Sequence, residues 1–575
     1  MAQVVSQICH HVNLDEDVGN TMKARRCLLW TRRFNLCLLV ESVISFLAVL
    51  QAVFRSPLLR LDIEATSQNQ APYRGVNLGG WLVLEPWITP SLFYPFLCKS
   101  EGCPSDKPPV IDEQSFCERL GSSAAREKLE EHRSTWVTEE TFQRLAASGL
   151  NIVRIPMGYW MFGDDPDFCF GISSIHHLDN AVDWAEKHGI QVLLDMHGAV
   201  GGANGMDNSG VSHRPPFFQQ WGRQPLDGKA WLQPANVNKT RTFLRRVAER
   251  YSGRRSVVRM GMVNEVLSRL DPYCKQHCPV TASDMLPYYE GTWQNLSSIL
   301  SPSQKPVLDI GLTDWSPFSV HFMHWRPLSP LPEILRNGVF DQHIYHFFYG
   351  LWMPQTLHFR MVCMNVRKLR EIHDNVLPTL VGEWSLAMTD CMTWLNGVGL
   401  PASRGLTCHR VPCPTTYNNV TAGTSSAGGP DEEGMCPVGP PPEKSAPYGP
   451  LEPEEFYKLL SAYMLSAYLT SAGWTFWNFK SEVKDPRWSF FDAQDRGWFP
   501  ANLSEDAWAP LALPCEAKDS FAGNIFWCIV VLALSASCLV GCTCFYCCCR
   551  CCVKRAQARD DLSQFSELLD QELLR

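Results

Sequence analysis

The chain has 575 residues, 45% of them apolar and 19% charged, which is enough apolar material for a large core and excludes a mostly disordered polymer. Its formal net charge of −8, with no long basic run in the central region, offers little to a phosphate backbone and argues against a nucleic-acid partner.

Residues 1–33 read as a cytosolic segment in which Lys23, Arg25, Arg26, Arg32 and Arg33 lead into an apolar stretch. That stretch, 34–54, is interrupted by Glu41, has no clear cleavage site after it, and has the form of a signal anchor or signal sequence. Short β-rich runs then follow, each before a longer and mostly helical segment: Arg74 to Gly80, Asn151 to Met157, Gln191 to His197, Val257 to Glu265, Pro306 to Gly311, Phe340 to Phe347, Pro378 to Trp384 and Gly473 to Phe479. Ile175 to His188, ending at Gly189, and Pro453 to Ser471 are the clearest helices. Eight strands alternating with helices predict a parallel closed sheet, a TIM (β/α)8 barrel over about 73–515 with a membrane-spanning segment at each end. A doubly wound sheet also alternates, but no Gly-rich nucleotide loop opens a helix here.

A Pro/Gly-rich insertion, 401–453, follows the seventh strand and reads either as a wall of a binding cleft or as a surface excursion. Residues 521–545 begin an uncharged run long enough for a transmembrane helix, and Arg550, Lys554 and Arg555 follow it. The remainder, 546–575, is a Cys-rich juxtamembrane segment and cytosolic tail whose thiols, Cys547 to Cys549 among them, are either S-acylated or simply small boundary residues. Basic flanks outside both spans place the barrel in the lumen or outside the cell, on the secretory route to the plasma membrane or cell surface.

Twelve cysteines lie between the spans, an even number suited to disulfides in an oxidising compartment. Cys274 and Cys278, with His277 between them, have a loosely zinc-like spacing, but a short disulfide loop is the favoured reading and no metal is expected. Sequons at Asn238, Asn295, Asn419 and Asn502 fall in the same stretch. The 20 Trp residues supply either core or flat platforms for sugar rings.

In a barrel the C-terminal strand ends form the active face, so Glu85, Arg154, His197, Asn264, Glu265, His343, Tyr345, Glu383 and Trp477 are predicted to converge there. Two facing carboxylates are what glycosidic hydrolysis needs, one to protonate the leaving oxygen and one to attack the anomeric carbon. Glu265 and Glu383 end the fourth and seventh strands, and a retaining pair would sit roughly 5 to 5.5 Å apart.

The run Arg74-Gly-Val-Asn-Leu-Gly-Gly-Trp-Leu-Val-Leu-Glu-Pro-Trp-Ile-Thr-Pro-Ser-Leu-Phe93 resembles the opening motif of the fungal-type exo-β-1,3-glucanases of glycoside hydrolase family 5. The likeness continues through Asn151 to Trp160, Asp195-Met-His-Gly198, Asn204-Gly-Met-Asp-Asn-Ser-Gly210, Gly382-Glu-Trp-Ser385, Thr389-Asp-Cys391 and Gly473-Trp-Thr-Phe-Trp477. It implies Glu265 as acid/base and Glu383 as nucleophile, with Arg154 and Tyr345 on Glu383 and Asn264 beside the 2-hydroxyl. It further implies that Arg154 keeps Glu383 ionised while the less compensated Glu265 stays protonated. Glu85, His197 and His343 would bind glucose hydroxyls over the floor of Trp477. It also implies disulfides Cys363–Cys515 and Cys391–Cys436, no cofactor, and β-glucan as partner along with the membrane. Two departures stand out. Val266 replaces the family's proline after a fourth strand one residue short, and Met206 replaces one phenylalanine of an aromatic clamp whose other half is Phe348. The implied activity is release of glucose from the non-reducing end of β-1,3-glucan, with transglycosylation as a side path. Alternatives are a β-1,6-glucanase or lipid β-glucosidase of the same mechanism, and an inactive membrane-anchored glucan-binding protein.

Overall fold

The computed structural model describes residues 71–511, apart from 97–103, 105, 216, 269–273, 310–337, 347–354, 376, 389, 391, 393, 401–409, 415–432 and 438–452. Eight parallel strands close into a barrel: β1 Tyr73–Asn77, β2 Ile152–Gly158, β3 Gln191–Gly198, β4 Val257–Gly261, β5 Lys305–Asp309, β6 Val339–Ile344, β7 Thr379–Trp384 and β8 Gly473–Phe476. Each overlaps one of the eight expected runs, and β8 pairs with β1 from Tyr73 opposite Gly473 onward. The strands are buried on both faces, which is why they read as apolar runs and not as alternating ones.

The helices follow from capping and periodicity. In α1, Glu113–Trp136, the Asp112 side chain accepts from the Ser115 N–H while Ser115 answers back to the Asp112 N–H, satisfying two orphan donors. A short α2, Glu139–Ala147, precedes β2. In α3, Ile175–His188, the buried stripe His177, Leu178, Ala181, Val182, Ala185 has helical spacing, and Gly189 ends it in the left-handed conformation at φ +68°. Then come α4 Pro234–Tyr251, α5 Ala282–Leu296, α6 Gln355–Asn375, α7 Pro453–Tyr468 and α8 Phe490–Asp495.

Inside the barrel the side chains stack in layers. Tyr73, Ile152, Leu193, Val258, Val307, Val339 and Leu380 form an apolar plug, one from each of β1 to β7. Two residues further along the same strands stand Arg154, Asp195, Asp309 and Asp341, because side chains of one face recur with period two. Gly382 makes room for this polar layer, since a Cβ there would meet the Asp341 carboxylate at 2.0 to 2.4 Å.

The expected fourth strand, Val257 to Glu265, stops at Gly261, and Glu265 lies beyond it with φ +45°. The β3–β4 register shifts after Val192 opposite Val257, so that Leu193 faces Arg259. One residue of slip is thus absorbed low in the strand, and the backbone turn at Glu265 decides where its side chain goes.

Part of the 401–453 insertion is an antiparallel ribbon, Arg410–Pro414 against Glu433–Pro437, which the composition did not predict. Disulfides join Cys117 to Cys169 and Cys274 to Cys278, the second being the favoured reading of that spacing, and Cys363 is also disulfide-bonded. Cys515 and Cys391 lie outside the described residues, as do Phe348, Asn419 and the apolar segments 34–54 and 521–545. Among the described residues no helix is long and apolar enough to cross a membrane. The sequon residues Asn238, Asn295 and Asn502 are exposed.

The loop that follows β1 is held by Glu113 on α1. Its carboxylate accepts from the Leu84 N–H at 2.9 Å, Arg133 Nη2 at 2.6 Å and Trp160 Nε1 at 2.8 Å, all buried. Glu113→Ala strands the Arg133 charge and two donors, and is expected to lower the unfolding free energy by about 3–5 kcal/mol in a urea titration. Acid is a second stress. Burial depresses His132 to about 3, so unfolding lets it take up a proton below its ordinary value. Its contribution is complete above pH ~6.5 and is lost as pH falls toward 3. Urea midpoints across that window should fall less steeply in His132→Gln.

Candidate active site

Arg154, on β2 and fully buried, is the centre of the upper barrel. Nη1 donates to Glu383 Oε1 at 2.8 Å and to Asn77 Oδ1 at 2.9 Å, and Nη2 donates to Asn264 Oδ1 at 2.6 Å. Asp195 lies 3.2 Å away and Asp341 3.7 Å. Burial alone would weaken its protonation, but these carboxylates raise its pKa further above the ordinary guanidinium value. Asp195, on β3, is correspondingly held below the carboxylate range: burial raises it, and Arg154 and His197 outweigh burial. Its Oδ2 also meets His197 Nδ1 at 2.8 Å, which orients that ring, and the ring stacks on Trp477 at 5.5 Å between centroids with only 7° between planes.

Glu383 ends β7 and Glu265 follows β4, and one oxygen of each lies within 4.8 Å of the other. That closeness fits the ~5–5.5 Å separation of a retaining pair better than the ~6.5–9.5 Å spacing of an inverting one. Tyr345 donates its hydroxyl to Glu383 Oε2 at 2.8 Å, and Asn208 donates to Glu265 Oε2 at 3.2 Å. The Glu265 N–H donates to Asp309 Oδ2, which fixes the turn that the positive φ requires.

His343 contacts both glutamates. Its Nδ1 is 2.8 Å from Glu265 Oε1 and 3.4 Å from Glu383 Oε2, so it sits between the two carboxylates. Burial lowers its pKa, yet Glu383, Asp309 and Asp341 together raise it well above the ordinary value, making it a cation in this layer.

The two carboxyl groups differ in their electrostatic surroundings. Burial, with repulsion by Glu265, pushes Glu383 up to about 8 in spite of His343, Arg154 and Tyr345. Burial raises Glu265 as well, but the hydrogen bond and charge of His343 draw it below its ordinary value. Two buried carboxylates this close titrate as one system, and near neutrality they hold one proton between them.

Glu85, beyond β1, is buried and accepts from Trp87 Nε1 at 3.1 Å through Oε2, while Oε1 has no hydrogen-bond partner among the described residues. Burial, then the charges of Asp207 and Glu383, raise it well above the carboxylate range. Asp207 is itself pushed up to about 7 by burial and by Asp112. A pocket joins these groups, lined by Glu85, Met206, Glu265, Tyr345, Glu383 and Trp477. Trp87 and Trp488 meet edge to face at its rim. Met206 packs against Leu226 and Leu267.

All the predicted strand-end residues therefore meet on one face. Those not singled out are Asn77, Asp195, Asn208, Asp309, Asp341 and Trp488. Asn208 and Asp195 lay inside motifs already picked out, and Asp309 and Asp341 stand two positions after plug residues, a phase that would have located them.

Residues 120–315 match the Cellulase (glycosyl hydrolase family 5) model. The chain is 31% identical over 467 residues to a glucan 1,3-beta-glucosidase of Blumeria graminis, covering 79% of this chain and 93% of the relative. It is 31% identical to the enzyme of that name from Kluyveromyces lactis, covering 81% and 97%. The fold resembles that of rutinosidase from Aspergillus niger at a TM-score of 0.50 and 16% identity, over 75% of this chain and 98% of that one.

Removing one donor from Glu383 raises its proton affinity. If Glu383 acts ionised, Tyr345→Phe should move the acidic limb of the kcat/KM profile to higher pH and lower kcat/KM by about ten- to hundredfold, as expected for a hydrogen bond to a charged group.

Proposed function

The chain belongs to glycoside hydrolase family 5 together with the glucan 1,3-beta-glucosidases, and we propose that it releases glucose from the non-reducing end of β-1,3-glucan with retention of configuration. The observation that carries this reading is the close Glu265–Glu383 pair, which lines the same pocket as Trp477. In the first step Glu383 attacks the anomeric carbon while the protonated Glu265 gives its proton to the leaving oxygen, so the glycosidic bond breaks and a glucosyl ester forms. In the second step Glu265, now a carboxylate, takes a proton from water, the water oxygen bonds the anomeric carbon, and Glu383 leaves. A sugar hydroxyl in place of that water gives transglycosylation.

The shared proton reaches the right carboxyl through electrostatics. Positive charge developing at the anomeric carbon stabilises the ionised Glu383, which shifts the proton of the pair to Glu265. In this reading Asn264, held by Arg154, meets the 2-hydroxyl, and Glu85 and His197 bind other hydroxyls of the terminal glucose. The Glu85 Oε1 that has no hydrogen-bond partner among the described residues supports this. Met206 widens the chemistry tolerated at the acceptor side, since a thioether adapts to a sugar face without dictating one orientation.

The same proposal places the catalytic domain in the lumen of the secretory pathway or at the cell surface, anchored through 521–545. Disulfide-bonded Cys117, Cys169, Cys274, Cys278 and Cys363 support an oxidising compartment.

Hydrolysis of laminarin followed by NMR tests the reading. The native chain should release β-glucose first, Glu265→Gln should lower kcat by roughly 10²–10⁴-fold, and Glu383→Gln should abolish turnover. Binding of laminarin without turnover by the native chain, or initial release of the α-anomer, would overturn it.

A further inference from the structure

On the side of the barrel, outside the residues lining the pocket, two consecutive histidines turn toward one carboxylate. His176 Nε2 is 3.3 Å from Glu130 Oε1, and His177 Nε2 is 3.1 Å from Glu130 Oε2. Neighbouring residues of a helix project about 100° apart and do not normally share a partner. Here they do so in the first turn of α3, with ring centroids 4.0 Å apart, and Glu130 reaches them from α1. His177 is buried, at 5% side-chain exposure, and its ring packs edge-on to Trp81, whereas His176 and Glu130 are each about half exposed, at 51%.

The three donor atoms all lie within 4.8 Å of one another. Two imidazole nitrogens and a carboxylate oxygen are the ligand types zinc prefers, at bonds of about 2.0–2.2 Å, and a tetrahedron with such bonds has edges of about 3.3 Å. Each imidazole nitrogen approaches a different oxygen of Glu130, at 3.3 and 3.1 Å, so a small rotation of the half-exposed carboxylate brings one oxygen toward both nitrogens, and the half-open side leaves the fourth position to water. The other groups near this cluster do not oppose a cation strongly. Arg133 spends its charge on Glu113 at 2.6 Å, and Arg126 donates to the Gly171 carbonyl at 3.0 Å. The positive end of the α3 dipole opposes a cation, and the Glu130 carboxylate offsets it.

We propose that Glu130, His176 and His177 form a zinc site, separate from the active site, that ties α1 to the start of α3. Its ligands come from α1, which precedes β2 in the chain, and α3, which follows it, so an ion there cross-links two helices of the shell without touching the reacting groups. Binding requires both imidazoles neutral and therefore weakens in acid.

The test is calorimetric titration of the full chain with zinc chloride after its free thiols are alkylated, with magnesium chloride as the control cation. Native protein should take up an equivalent of zinc that is lost, or bound at least roughly tenfold more weakly, in His176→Ala and in Glu130→Gln, with no response to magnesium. Both variants should hydrolyse laminarin as the native chain does, and saturating zinc should raise the thermal midpoint of the native chain only. Anomalous diffraction at the zinc edge, which needs no variant, should place the ion within bonding distance of both Nε2 atoms. Equal zinc uptake in native and variant chains, or no uptake by the native chain, would overturn the site. Zinc that inhibits hydrolysis and whose binding is lost in Glu383→Gln instead would also overturn it, by assigning the ion to the catalytic cluster.

Discussion

A guanidinium buried at the centre of a barrel must be paired on every side, and Arg154 organises the upper half of this molecule through that requirement. Burying a charge without partners costs several kcal/mol, so Asn77, Asn264, Asp195, Asp341 and Glu383 are all drawn to it. They come from β1, the β4 end, β3, β6 and β7, so the charge balance of one side chain sets the relative heights of five strand ends. The apolar plug below excludes water from this layer and makes its pairing strong.

The same low-dielectric layer explains why the carboxyl pair behaves as it does. Arg154 is shared among three acids, so it cannot fully neutralise Glu383, and the nearby Glu265 charge raises the cost of a second ionisation. His343, surrounded by acids of β5, β6 and β7, supplies the second cation. Two cations face two glutamates and three aspartates, Asp195, Asp309 and Asp341, and a reaction that develops positive charge beside Glu383 can direct the proton the glutamates share. A catalytic site of this kind is tuned by its count of buried charges more than by any one hydrogen bond.

The loops above the strands are fixed by their own buried polar links. Glu113 joins the segment after β1 to α1 and to Trp160 after β2, while Asp112 caps α1 and also pairs with Arg223 and the Ser212 N–H. These connections hold Glu85 and the Asn204–Gly210 segment against the pocket. Stability and substrate geometry therefore share residues, and the loops cannot drift independently of the barrel.

Much of this was legible in the chain itself. Eight apolar runs separated by helical periodicity determine a parallel sheet, because parallel strands need both faces covered and each helix supplies one cover. The count of eight, with no Gly-rich nucleotide loop, favours its closure into a barrel. The strand ends pointed to the face where these side chains meet, and the resemblance to the fungal-type glucanases singled out the two glutamates, Arg154 and Tyr345 on it. Three matters were decided by tertiary structure alone. The fourth strand stops at Gly261, and the left-handed turn at Glu265, tied to Asp309, aims the side chain inward, which no local pattern records. His343 lies between the carboxylates because the register shift on the β6–β7 pair sets it opposite Glu383. The division of the proton between Glu265 and Glu383 depends on the distances among charges from six strand ends. A sequence specifies which groups ionise and which face of a strand they share, but Coulomb interactions in a buried site depend on separations of a few ångströms, and only the folded chain sets those.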